Sequence, residues 1–190
     1  ERIAEQIRDC GARAVVFSDF RHGIFNRRTI PALTEAIPKG TFRVADSQVA
    51  SRWGNILEFK GFDLITPNER EARFATADQD TGVRPLVGRL HEESGCARVI
   101  LKLGEKGIIT CRTLIHAEQG DPRSFLVVDS FAERVVDAVG AGDALLAYAT
   151  LCMVADGSDV VASILGSMAA ALECERDGNI PISKADMLRK

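Results

Sequence analysis

The run Val135-Val-Asp137-Ala-Val-Gly140-Ala-Gly142-Asp143-Ala-Leu-Leu constrains this chain more than any other stretch of it. Glycines at 140 and 142 let the backbone turn sharply, and the small and apolar residues that follow read as a helix over 141–154. Amides at the top of a helix have no partner within it, so such a loop gathers positive potential and suits an anion. Asp143 stands in that first turn. A carboxylate there would repel a phosphate, yet it suits a base that takes the proton from a hydroxyl attacking phosphorus. The same residues also read as a plain helix cap followed by apolar core, because a Gly-x-Gly-Asp loop is weak evidence by itself.

Around this loop, strands and helices alternate. Strands are expected at Ala14-Val-Val-Phe17, Phe42-Arg-Val-Ala45, Phe62-Asp-Leu-Ile-Thr66, Arg98 to Leu103, Gly107 to Cys111 and Ser124 to Val128. Helices are expected over 1–10, 31–37, from 69 to about 74, 83–93, 159–175 and 183–188, while 51–59 is ambiguous. Ile3, Ile7 and Cys10 share one face of the first helix, and Val87, Leu90 and His91 the inner side of the helix at 83–93. Ser183 and Asp186 read as a capping box, and Gly104-Glu-Lys-Gly107 as the turn of a hairpin. Apolar strands alternating with helices call for an α/β fold of three layers, a mostly parallel sheet with helices on both faces. Ligands of such sheets sit beyond the carboxyl ends of the strands, which points to Ser18-Asp19, Asp46-Ser47, Thr66-Pro-Asn68, Leu103-Gly-Glu105 and the stretch from Ser130 onward.

At 190 residues the expectation is a single α/β domain over 1–190. The chain opens inside an αβ repeat, without a start methionine, and so reads as part of a longer polypeptide. With 27 acidic against 24 basic residues, and no basic run longer than two residues such as Arg27-Arg28, no nucleic-acid partner is expected. Cys10, Cys96, Cys111, Cys152 and Cys174 lack metal or redox spacing, and His22, His91 and His116 are isolated, so reduced and mostly buried thiols follow. No apolar run approaches a membrane span and no signal core opens the chain; a cytoplasmic protein without a membrane partner is expected.

Asp137-Ala-Val-Gly140-Ala-Gly142-Asp143 resembles the C-terminal signature of the ribokinase-like carbohydrate kinases, the pfkB family. Ser18-Asp-Phe-Arg-His-Gly23 resembles that family's Ser-Asp-Tyr-x-Lys-Gly, Thr66-Pro-Asn68-Glu-Arg-Glu71 its Asn-x-x-Glu motif, and Lys102-Leu-Gly-Glu-Lys-Gly107 its Leu-Gly-x-x-Gly turn. The likeness covers nearly the whole chain and is nearest to the heptose-phosphate subgroup. It implies a ribokinase-like fold, here without the N-terminal strands and lid, and transfer of the γ-phosphoryl group of ATP to an alcohol of a sugar or sugar phosphate. On this likeness Asp143 is the general base and Gly140, Ala141 and Gly142 form the anion hole. Asn68 and Glu71 organise Mg2+ and the phosphates of ATP, through water. Lys102, Gly104 and Glu105 approach the nucleotide, and Ser167, Ala170 and Ala171 wall the adenine, a run that close helix packing explains equally well. Asp19 and Asp46 face the substrate, and Asp137 belongs to a loop for a monovalent cation, K+. A homo-oligomer is compatible with the likeness.

The departures from the family are specific. Ala138 stands where Thr is usual, Ser47-Gln48 where the subgroup has Pro-Lys, and His22 where it has Lys; Arg52 is a candidate replacement for the missing charge at Gln48. Ala138 and the missing acceptor half also suit a second reading, a nucleotide-binding regulatory or structural module without catalysis. A Rossmann dehydrogenase is disfavoured, since no early strand runs into Gly-x-Gly-x-x-Gly.

Overall fold

A computed structural model describes residues 1–48, 56–113 and 121–190. The chain divides into two compact units, Glu1–Val99 and Ile100–Lys190.

In the first unit, strands β1 (Ala14–Asp19), β2 (Phe42–Ser47) and β3 (Leu64–Ile65) and the start of β4 (Arg98–Lys102) lie side by side in that order, all parallel. The register Ala14↔Phe42 through Asp19↔Ser47 brings the carboxyl ends of β1 and β2 level. Val44, Ala45, Leu64 and Ile65 are at most 1% exposed, as the near-continuous apolar strands require. Phe17, Phe59 and Phe62 pack nearby, with ring centroids 5.4 Å (Phe17–Phe62) and 5.7 Å (Phe59–Phe62) apart.

Among the described residues this unit also holds the α-helices α1 (Arg2–Asp9), α2 (Thr29–Glu35), α3 (Glu69–Thr76) and α4 (Val83–Ser94). Leu86, Val87 and Leu90 bury one face of α4, and His91 is half-buried with its ring beside Ala97 O. The helix α1 forms where expected, but its shared face is not covered. None of its residues is buried, Ile3 is 47% exposed, and Cys10 is exposed. Spacing identifies residues that share a face; it does not supply the surface that covers them.

In the second unit, β5 (Ile108–Arg112) and β6 (Phe125–Val128) pair antiparallel, from Ile108↔Val128 to Cys111↔Phe125. The turn at 104–107 closes with the amide of Leu103 donating to Gly107 O at 2.9 Å. Gly107 has φ +82°, and a side chain there would run into Val128 O and lie 2.7 Å from the carbonyl carbon of Asp129. Helices α5 (Ala141–Ala155) and α6 (Asp159–Cys174) pack closely, since a Cβ on Gly166 would sit 3.2 Å from Leu145 O and 3.3 Å from Ala149 Cβ. The small residues of both helices permit that approach. The last helix, α7 (Lys184–Met187), carries the expected Ser183–Asp186 capping box, and Arg176 holds Asp186 at 2.7 Å. The five cysteines are free thiols; Cys96 and Cys111 are buried, Cys152 and Cys174 half-buried.

Candidate active site

In the second unit, the loop before α5 hangs from the end of α6: Cys174 O accepts from the amides of Val136 at 2.7 Å and Asp137 at 3.2 Å. Asp137 Oδ1 accepts in turn from the amide of Val139 at 2.9 Å. Gly140 caps α5 with φ +89°, a conformation that costs other residues strain, and no side chain caps the amides that follow. Asp143 is exposed in the first turn of α5, so its carboxylate is not turned into the protein interior. Lys102, half-buried at the end of β4, brings Nζ to 3.2 Å from the position a Cβ on Gly142 would take. The amide of Ala141 makes a long bond to Ala138 O at 3.4 Å, and the amides without a side-chain cap, the helix dipole and the ammonium thus add their positive potential at one place, with a carboxylate in the same helical turn.

The remaining residues of this unit divide. Gly104 takes φ +62° in the exposed turn that carries Glu105. Ser167 and Ala171 are buried on α6 and Ala170 is half-buried, so of the three only Ala170 offers surface. A cavity of about 500 Å³, lined by Glu133, Arg134, Leu172, Glu175 and Arg176, includes none of the residues singled out from the sequence.

Two residues absent from that reading meet the loop. A Cβ on Gly140 would lie 2.7 Å from Asn179 Oδ1 and 2.8 Å from Glu173 Oε1. Glu173 is 2% exposed, and neither of its carboxyl oxygens has a hydrogen-bond partner among the described residues. A signal was present in the sequence: Glu173 is a charged residue directly after the small and apolar run Gly166 to Leu172.

In the first unit, Asn68 and Glu71 form a reciprocal cap at the start of α3. Asn68 Oδ1 accepts from the amide of Glu71 at 2.8 Å, and Glu71 Oε2 accepts from the amide of Asn68 at 2.7 Å. Both readings of Asn68, helix cap and site residue, therefore fall on one geometry. Asp46 Oδ1 accepts from the Thr66 hydroxyl at 3.0 Å. Asp19 is buried and takes up a structural partner that the sequence reading missed: Arg21 NH1 lies 3.2 Å from its Oδ2, and its Oδ1 accepts from the amide of Arg21 at 2.8 Å. Arg21 also donates to the Ser47 hydroxyl at 2.7 Å and to Gln48 O at 3.1 Å, and reaches Glu58 at 3.6 Å. Its backbone is left-handed, φ +58°. Arg52 and His116 lie outside the described residues.

Among the described residues no group of three or more His, Cys, Asp or Glu side chains is placed to hold a metal, and no helix is long and apolar enough to cross a membrane. A carboxylate and an amide oxygen already committed to capping fit a magnesium ion that keeps its water and contacts protein through it.

Residues 13–185 match the family described as pfkB family carbohydrate kinase. The chain is 25% identical over 182 residues to the bifunctional protein HldE of Bradyrhizobium sp. (strain ORS 278), covering 94% of this chain and 35% of that one. It is 27% identical over 183 residues to HldE of Campylobacter jejuni subsp. doylei, covering 94% and 36%. Escherichia coli phosphofructokinase-2 superposes with TM-score 0.80 at 17% identity, over 99% of this chain and 59% of that one. Arabidopsis thaliana ribokinase, solved with ribose and ATP, gives 0.74 at 24% identity, over 100% and 58%. The chain therefore spans about a third of the length of these curated relatives and three-fifths of the solved chains. The structural likeness shows the fold, a three-layer α/β arrangement with a mixed, mostly parallel sheet flanked by helices.

Proposed function

The chain belongs to the pfkB family of carbohydrate kinases, and on that premise we propose that it carries out the phosphoryl-transfer chemistry of an ATP-dependent kinase acting on a hydroxyl of a sugar or sugar phosphate. The observation that carries this reading is the first turn of α5, where the exposed Asp143 follows amides that no side chain caps and the Lys102 ammonium lies against Gly142. Asp143 takes the proton from the acceptor hydroxyl as it attacks. The amides of Gly140, Ala141 and Gly142, with Lys102, hold the charge that grows on the transferred group, an electrostatic contribution that needs no reorganisation during reaction.

In the first unit, Asn68 and Glu71 hold magnesium through water, and Asp46 contributes to the acceptor side. Bound there, the ion supplies charge neutralisation on the phosphates. Asp19 acts on the substrate side through Arg21, which fixes the ends of β1 and β2. Gly104, Glu105 and Ala170 lie toward the nucleotide. The loop from Asp137 to Gly140 takes potassium, and the buried, unpartnered oxygens of Glu173 beside it suit an oxygen-seeking cation. The relatives called HldE are named as bifunctional proteins, and a heptose phosphate is the first acceptor to try. We place the protein in the cytoplasm as a domain of a longer kinase, and a homo-oligomer is compatible with this.

Release of ADP from Mg-ATP, followed across a panel of sugars and sugar phosphates, tests the proposal. Acceptor-dependent ADP release supports it. Tight Mg-ATP binding with no transfer to any acceptor favours instead a nucleotide-binding module without catalysis, for which Ala138 in place of the usual Thr is the motivating observation.

A further inference from the structure

The stretch Asp19-Phe-Arg-His-Gly-Ile-Phe25 leaves the carboxyl end of β1 with two aromatic rings that go opposite ways. Phe25 turns inward, its ring 5.0 Å from Phe17 and 5.9 Å from Phe59. Phe20 stays out. It is 44% exposed, with the ring of the exposed His22 offset beside it at 6.4 Å and 29° between planes. An open ring forgoes the burial that Phe25 gains.

The backbone next to it is strained. Arg21 is left-handed at φ +58°, a conformation that a residue with a Cβ keeps only where its surroundings fix it. Those surroundings are the ends of β1 and β2. The Arg21 amide donates to Asp19 Oδ1 at 2.8 Å, and its guanidinium donates to the Ser47 hydroxyl at 2.7 Å and to Gln48 O at 3.1 Å and pairs with Asp19 at 3.2 Å. The amide of Gln48 in turn donates to Asp19 O at 3.1 Å. A single exposed phenylalanine is ordinary, but this one is followed by a strained residue clamped to two strand ends, so its place is fixed.

That place is the edge where β1 and β2 finish level and where the half-buried Asp46 also stands. A sugar carries hydroxyls around its rim and C–H groups on its ring faces, so polar acceptors beside a flat apolar surface recognise it. Resting on the reading of this chain as a sugar kinase, we propose that Phe20 is an acceptor-binding residue whose ring receives the C–H face of a cyclic sugar, while Asp46 takes a hydroxyl at the same edge. Arg21 is the positioning residue that keeps the ring out of the core. A closed sugar ring presents a continuous C–H face and an open-chain alditol does not, so Phe20 selects cyclic acceptors.

The test measures binding, by calorimetry on the full-length protein, of ribose, fructose 6-phosphate, sedoheptulose 7-phosphate and the alditol made by reducing each. Wild type, F20A, F20L and F20W are compared, with unfolding temperatures recorded alongside. The wild type should bind at least one of these sugars about tenfold more tightly than its alditol, F20W should keep that preference, and F20A and F20L should lose it. The comparison of F20L with F20W reads the ring itself and does not depend on F20A folding. A preference retained in F20L, a fall in the F20A unfolding temperature with the preference intact, or a wild type that binds none of the three sugars overturns the proposal. Acceptor-dependent ADP release with no effect of Phe20 would leave the kinase reading standing, and ring-dependent sugar binding without ADP release would leave the role of Phe20 standing, so the two fail separately.

Discussion

The ammonium of Lys102 lies 3.2 Å from the point where a side chain on Gly142 would begin. A strand-end cation is thereby set against the first turn of the helix that carries Asp143, and a Cβ at position 142 would press on it tightly enough to shift it slightly. The backbone of Gly142 lies outside the left-handed region, and the obstacle to a larger residue is the tip of a flexible side chain. Gly142→Ala should therefore leave stability unchanged, or raise it by up to about 1 kcal/mol through helix propensity. Turnover should fall about tenfold as the ammonium is displaced. Chemical denaturation and ADP release, measured on the same preparation, separate the two effects.

Glu71→Gln keeps an oxygen that can accept from the amide of Asn68, so the α3 cap should survive with a loss within about 0.5 kcal/mol. The negative charge is gone, and the magnesium concentration for half-maximal turnover should rise about tenfold. An unchanged magnesium dependence would reduce Glu71 to a capping residue.

Arg21→Ala leaves the Asp19 carboxylate, whose side chain is 1% exposed, without its guanidinium. Removing one partner of a buried ion pair costs about 3–5 kcal/mol, and the denaturation midpoint should fall accordingly. A loss under about 1 kcal/mol would place this pair among surface salt bridges.

What the sequence made legible was local. The glycines at 140 and 142, the Asn68–Glu71 cap, the Ser183–Asp186 cap and the order of strands and helices all follow from residues a few positions apart. The Arg21 network was hidden because its members, Asp19, Ser47, Gln48 and Glu58, come from two strand ends and a distant turn, and the resemblance drew attention to the carboxylate alone. Glu173 stands 33 positions from the glycine it meets, and a lone charge in an apolar helix does not name its neighbour. The shared face of Ile3 and Ile7 on α1 is legible as a face, and that nothing covers it is not, because periodicity carries no information about what lies opposite.

The carboxyl of Asp186 is held well below the usual carboxylate range, first by the hydrogen bond from Arg176 and then by Ser183. A lowered folded value contributes stability that is fully present above the unfolded value near 4, and is lost as pH falls through the folded value. Asp186→Asn should therefore destabilise the protein at neutral pH, with the difference from the wild type shrinking progressively below about pH 4. Urea midpoints across an acid pH series read this directly; a constant difference would show that Asp186 acts through packing.

The central claim is that Asp143 is the base for phosphoryl transfer from the first turn of α5. Single-turnover transfer from Mg-ATP, with saturating sugar or sugar phosphate, should be slower in Asp143→Asn than in the wild type by about 10²–10⁴-fold. ATP affinity and unfolding temperature should stay close to wild type, since Asp143 is exposed and asparagine keeps the shape of its side chain. Equal transfer rates in the two proteins would contradict the account.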